Sequence, residues 1–248
     1  MLPQPRCMNM CRYVDKRTPR AHDLGVPKLL SSRLSKSTED YLKAIWLSTR
    51  DGPVATGTVA SALGVADASV SEMLGKLSEQ GLVRYTPYHG AQLTEGGERA
   101  ALDLLRRHRL LETFLIEYLG YGWDEVHGEA EALEHAVSAR FTERLAARLG
   151  YPTHDPHGDP IPAADGTLPD TPDLPLADLG VGETLEVACL KTQAADVLAY
   201  LADLGVEPGH ALTVVQREPL GGLLRVAVGG REVALSTTLA TLIRGRLA

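Results

Sequence analysis

Apolar residues recur first at helical and then at strand spacing, and this change of period divides the chain. Ser37-Thr38-Glu39-Asp40 has the form of a helix N-cap with acids in the first turn, and Tyr41, Leu42, Ile45 and Trp46 follow at helical spacing. Asp51-Gly52-Pro53 predicts the stop. A short helix over 58–63, a turn at Gly64-Val65-Ala66-Asp67 and a second helix from Ala68 to about Gln80 come next, with Gly81 as its C′ residue. Leu82-Val83-Arg84-Tyr85 and Ala91-Gln92-Leu93-Thr94 alternate as strands around Tyr88-His89-Gly90. A longer helix is predicted from about Thr94 to Leu119, with Leu104, Leu105, Leu111, Leu115 and Leu119 on its buried arc. Gly120-Tyr121-Gly122 breaks it. Another helix is predicted from about Trp123 to Leu149, interrupted near His127-Gly128.

His154 to Asp178 is rich in Pro, Asp and Gly and reads as a linker. Past Leu179 the period becomes that of strands, at 184–187, 211–215, 223–228 and 232–235, with one helix from about Ala194 to Leu204. Gly-Gly pairs between strands suggest a small antiparallel barrel. The predicted class is therefore mainly α with a small β part. Residues 35–97 form a winged helix-turn-helix, 98–153 a helical unit, 154–178 the linker and 179–248 the β-domain.

Composition narrows the possibilities. Of the 248 residues, 44% are hydrophobic and 23% charged, which supports packed cores and excludes global disorder. No run approaches the roughly 18 apolar residues of a membrane span, and no apolar export segment opens the sequence. Three cysteines (Cys7, Cys11, Cys189) make no disulfide framework, so a reducing cytoplasm is expected. The net charge of −7 argues against indiscriminate nucleic-acid binding by the whole chain. It is unevenly spread. Residues 1–34 hold seven Lys/Arg against Asp15 and Asp23, a balance of +5 that leaves −12 for 35–248. With four prolines and no apolar period, residues 1–34 read as a disordered basic extension; an arm that touches phosphates is the alternative.

The helix-turn-helix would offer Ala68, Ser69, Ser71 and Glu72 to the major groove, with Lys76 as the cation of that helix. Small hydroxyl side chains permit close approach. Arg84, Tyr88 and His89 suit a wing over the DNA backbone, and Ser37 and Thr38 complete the candidate DNA contacts. A plain three-helix bundle with an exposed hairpin is the competing interpretation.

On the helix after Trp123, Glu131, Glu134 and His135 stand at i, i+3 and i+4, so they share a face, with His127 one turn earlier. Leu133, Val137 and Phe141 form a core stripe roughly 100° away by helical geometry. On the preceding helix His108 and Glu112 are again at i, i+4, and His108 interrupts the leucine stripe. Carboxylates and imidazoles in such sets suit a borderline-hard divalent ion, Mn2+ or Fe2+. A solvated acidic face with incidental histidines is the alternative. No His-Glu-x-x-His, Gly-x-Ser-x-Gly or phosphate-binding glycine loop is present, so no enzyme is expected.

The order of parts resembles the diphtheria-toxin-repressor family of metal-dependent transcriptional repressors, over Leu34 to Ala248. Residues 37–42, Arg107-His108-Arg109-Leu110-Leu111-Glu112, Glu131-Ala132-Leu133-Glu134-His135 and Gly158-Asp159-Pro160-Ile161-Pro162 carry the likeness. The resemblance implies a homodimer built on the helices after the winged domain, an SH3-like (FeoA-like) C-terminal barrel, and repression of metal-transport genes through a palindromic operator. It implies a primary metal site of Asp40, Glu131, Glu134 and His135. The implied ancillary site is His108, Glu112 and His127, with Gln193 and Asp196 reaching back from the β-domain, so two ions per subunit are expected. Iron-type members carry Met and Cys where this chain has Asp40 and Glu131, whereas manganese-type members carry Asp and Glu. Mn2+ is therefore the implied ion and Fe2+ the alternative. Lys43 stands where some manganese-type members have a further glutamate. A regulator of this fold that senses a small organic ligand is the runner-up.

Overall fold

A computed structural model describes residues 34–49, 52–123, 125–218 and 222–248. Residues 1–33 of the predicted basic extension, with Cys7 and Cys11, lie outside the described residues. Ser35–Ala248 form one compact unit.

Helix α1 (Lys36–Ser48) starts earlier than expected, because Ser35 and not Ser37 caps it: the Ser35 Oγ accepts from the Thr38 N–H at 3.2 Å. Its apolar side, with Tyr41, Leu42 and Ile45 buried, meets α2 (Thr56–Leu63) and α4 (Glu95–Leu119). Gly64, at φ +65°, ends α2 and turns the chain into α3 (Asp67–Glu79). Strands β1 (Val83–Thr86) and β2 (Gly90–Leu93) pair antiparallel as the wing. This part of the prediction is met.

Thr94 caps α4 by accepting from the Gly97 N–H, and Leu104, Leu105, Leu111 and Leu115 are buried as expected. Leu119 is not: it is 57% exposed, and Tyr118, Phe141 and Tyr151 are exposed as well. The single helix expected from Trp123 to Leu149 is two, α5 (Val126–Glu134) and α6 (Ala139–Arg148). The break falls after His135 and not at His127-Gly128. Ser138 is extended and its Oγ accepts from the Phe141 N–H, which starts a new helix with its own register. Leu133 and Val137 therefore pack against the core of Leu110, Leu111 and Ala130 while Phe141 leaves the stripe.

The stretch expected to be a linker is held in place over its first half. Arg99 donates to the carbonyls of Ala164 and Asp165, Arg106 to that of Pro162 and Arg109 to that of Pro160. Prolines have no N–H, so a segment with Pro156, Pro160 and Pro162 cannot run a full ladder of its own. Its carbonyls are left for the α4 guanidiniums. Ile161 and His157 are buried in the same segment.

The C-terminal sheet is antiparallel with strand order β3-β8-β4-β5-β6-β7. These are β3 (Leu174–Pro175), β4 (Thr184–Leu190), β5 (Ala211–Arg217), β6 (Leu223–Val228), β7 (Arg231–Ser236) and β8 (Ile243–Leu247). Helices α7 (Ala195–Asp203) and α8 (Thr237–Leu242) accompany it, and Leu198 and Leu201 of α7 join Leu185, Val187, Leu212 and Val226 in its core. The barrel expected from the sequence is not closed: among the described residues β3 and β7 remain opposite edges. Edge strand β3 is two residues long and includes Pro175, which cannot donate to a ladder. β3 also lies inside the stretch assigned to the linker.

One loop joins the helical part to this sheet. The Leu190 N–H donates to the His157 carbonyl at 3.0 Å. Gly158 sits at φ +86° with the Ala188 carbonyl where a Cβ would go. Gly158→Ala is expected to cost about 2 kcal/mol through this clash and the positive φ. For a unit of this size that lowers Tm by roughly 4–8 °C. An unchanged thermal melt would show that the loop does not dock there.

Candidate metal centre

Three groups of ligand-type side chains meet where α1, α4, α5 and the 155–159 loop come together, each with its donor atoms within 4.8 Å of one another. The first is Asp40, Glu134 and His135. His135 Nε2 lies 2.9 Å from Asp40 Oδ1 and 3.4 Å from Glu134 Oε1. Its Nδ1 is 2.7 Å from Glu39 Oε2, and Glu39 in turn accepts from Arg107 at 2.8 Å. A carboxylate on the far nitrogen orients an imidazole and raises its basicity as a ligand. Burial pushes the Asp40 carboxyl up, against the pull of His135 and Lys36.

Glu131 was expected in this group and is not brought into it. Its carboxylate is 55% exposed, 3.5 Å from His127 Nε2 and 4.0 Å from Lys43 Nζ. Lys43, on α1, donates to both oxygens of Glu134 at 3.0 and 3.1 Å.

The second group is His108, Glu112 and His127, as expected. His108 Nε2 is 3.0 Å from Glu112 Oε1 and 3.1 Å from His127 Nδ1. His108 Nδ1 is 2.7 Å from Glu134 Oε2, so Glu134 touches both groups. Burial works to lower the His108 pKa, but hydrogen bonds and charges from Glu112 and Glu134 outweigh it and raise it. Glu112 is pushed upward by its own burial, yet His108 and His127 hold it well below the usual carboxylate range.

Sequence reasoning missed the third group, Glu112, Asp155 and His157, all buried. Glu112 Oε2, Asp155 Oδ2 and both ring nitrogens of His157 have no hydrogen-bond partner. Four orphaned polar atoms together are costly unless something binds them. Asp155 Oδ1 accepts from the His157 and Asp159 N–H groups at 2.9 Å each. Burial, with repulsion from Asp159 and Glu112, pushes Asp155 up to about 8, and burial lowers His157. One oxygen of each carboxylate and the imidazole of His157, left without a hydrogen bond although Arg109 Nε stands 3.7 Å from Asp155 Oδ2, fit a divalent cation. Asp-x-His was the available signal, masked by the proline-rich composition around it.

Gln193 and Asp196 are both exposed. The Gln193 amide donates to Asp159 Oδ2 at 3.4 Å, and Asp196 Oδ1 accepts from the Val197 N–H. Asp196 joins none of the three groups. Gln193 lines a cleft of about 1040 Å³ that His108, His127 and Asp159 also border.

On the winged unit, Ser37, Ala68, Ser69, Glu72, Lys76, Arg84, Tyr88 and His89 are exposed and Ser71 is half-buried. Thr38 does not belong with them. It is buried, its hydroxyl 2.9 Å from Ser35 Oγ inside the cap of α1. Lys76 Nζ donates to Glu72 Oε1 at 2.7 Å, so these two charges on α3 offset each other. Tyr88 occupies the wing tip at φ +66°.

Comparison with known proteins matches the chain domain by domain. The iron dependent repressor N-terminal DNA binding domain matches residues 33–91, and the iron dependent repressor metal binding and dimerisation domain matches 94–163. The FeoA domain matches 174–247. The iron-dependent repressor IdeR of Mycobacterium bovis is 30% identical over 226 residues, 86% of this chain and 98% of its own. A solved manganese-dependent transcriptional repressor in complex with manganese is 43% identical with a TM-score of 0.79, covering 85% of this chain and 100% of its own. ScaR with bound Zn2+ is 34% identical with a TM-score of 0.72, over 84% of this chain and 98% of its own. No helix among the described residues is long and apolar enough to cross a membrane. The chain belongs to the diphtheria-toxin-repressor family of metal-dependent transcriptional repressors.

Proposed function

We propose that the protein is a homodimeric cytoplasmic repressor whose grip on a palindromic operator upstream of metal-transport genes is switched by Mn2+, with Fe2+ as the alternative ion. One observation carries this. Asp40, on the first helix of the DNA-reading unit, is gathered with Glu134 and His135 of the helical unit. A cation held by all three would tie the winged domain to the dimerising helices and bias the relative pose of two recognition helices. Glu131, one turn back on α5 and outside that group here, would have to turn in from His127 and Lys43 to serve as the fourth ligand. Oxygen ligands at 40 and 131 favour hard Mn2+ relative to softer competitors, although selectivity must appear as activation and not as raw affinity.

The second ion belongs on Glu112. His108 and His127 approach its Oε1, and Asp155 and His157 gather beside it with atoms that carry no hydrogen bond. Gln193 and Asp196 would complete its coordination from the C-terminal domain. The exposed Tyr118, Leu119, Phe141 and Tyr151 suit the dimer contact. Candidate DNA contacts are Ser37, Ala68, Ser69, Ser71, Glu72, Lys76, Arg84, Tyr88 and His89.

Mn2+ is expected to tighten binding to the DNA upstream of the protein's own gene by about 10- to 100-fold, within the usual range of allosteric coupling. Asp40→Ala should abolish that gain and leave the weak metal-free binding intact. Equal affinity with Mn2+ and with chelator, read by fluorescence anisotropy, contradicts the switch.

Asp155 supplies a pH test. Its carboxyl titrates near 4 when unfolded and is pushed up to about 8 when folded. A raised acid pKa favours folding while the group is protonated in the native state, and that advantage is lost as pH rises from about 4 to about 8. The Tm of metal-free protein should therefore fall more steeply over this window in wild type than in Asp155→Asn. Parallel Tm profiles would remove Asp155 from the set of strained groups.

A further inference from the structure

Lys43 lies between the two metal groups, and neither group uses it. It is buried, and its ammonium sits 3.0 and 3.1 Å from the two Glu134 oxygens, 3.3 Å from His108 Nδ1 and 4.0 Å from Glu131 Oε1. Its partners therefore belong to both groups: Glu134 comes from the first set and His108 from the second, while Glu131 stands outside both. Taking up the lone pairs of a buried carboxylate is also what an ion held by Asp40, Glu134 and His135 would do.

The geometry points to Lys43 as a tethered cation that occupies Glu134 ahead of the metal and sets the Mn2+ concentration at which the switch operates. This inference rests on the metal reading above and deepens it. Two effects act in the same direction. An incoming ion must draw Glu134 away from an ammonium that binds both of its oxygens, and it must do so beside a fixed positive charge in a site where water screens poorly. Without the metal, the same contact has a structural benefit. It pairs an almost fully buried carboxylate and holds α1 against α5, so the site stays assembled while it waits. The lysine thus lowers affinity without loosening the site. The titratable groups around it are Glu131 and Glu134 from α5, His108 from α4, and Asp40 on its own helix.

The test uses the full-length chain stripped of metal, as wild type, Lys43→Gln and Lys43→Arg. Mn2+ affinity is measured by calorimetry or by EPR of the free ion, and thermal melts are recorded without metal. Lys43→Gln should bind Mn2+ about tenfold more tightly and melt at a lower temperature than wild type when metal-free. Lys43→Arg, which keeps the charge, should stay within about threefold of the wild-type affinity. Lys43→Met keeps the apolar stem and replaces Lys43→Gln if that variant does not fold. A folded, charge-free variant with unchanged or weaker Mn2+ affinity overturns the role of Lys43 alone. A wild type that binds no Mn2+ overturns the metal reading beneath it.

Discussion

Buried acid is the constraint on which the rest of the structure depends. Glu39, Glu112, Glu134 and Asp155 are each under 7% exposed, and they converge on one junction. A carboxylate taken out of water is tolerated only with a cation or several donors beside it. Each of these acids finds its partner on another element. Glu39 of α1 takes Arg107 of α4, Glu134 of α5 takes Lys43 of α1, and Glu112 of α4 takes His127 of α5. Charge compensation therefore ties the DNA-reading unit to the helices behind it. Asp155 has Arg109 of α4 at 3.7 Å, and Glu112 Oε2 and the ring nitrogens of His157, left without hydrogen bonds beside it, are where a cation would complete the compensation.

Parts with local causes were legible in the sequence. The helix-turn-helix followed from the helical periods and Gly64, the wing from alternation around Gly90, and the hairpin at Gly229-Gly230 from two residues able to take positive φ. His108 and Glu112 were paired by their i, i+4 spacing, and the resemblance to the repressor family joined His127 to them. Parts that depend on distant partners were not. Helical spacing put Glu131 on one face with Glu134 and His135, but only the packed structure shows that Lys43 stands beside both glutamates. Asp155 and His157 were hidden in a segment whose composition suggests a spacer. Three arginines spread along α4 pin that segment down, and no local pattern announces them. Strand β8 was missed because Arg244, Gly245 and Arg246 break its apolar alternation; it becomes a strand by pairing with β4.

The same junction explains how a small ion can act over a large distance. Asp40 is bonded into the helix that carries the reading head, and the 155–159 loop is bonded into the C-terminal sheet. Both ends reach a patch where Glu134 and Glu112 are joined through His108. A displacement in one group is thus felt by the other through two hydrogen bonds on a single imidazole.

Anomalous scattering from Mn2+-loaded crystals at the manganese edge tests this most directly, because it locates ions without reference to function. One peak bonded to Asp40, Glu134 and His135 and a second bonded to Glu112 are predicted. Peaks confined to exposed acids, with Glu134 still held by Lys43, would contradict the proposed centre.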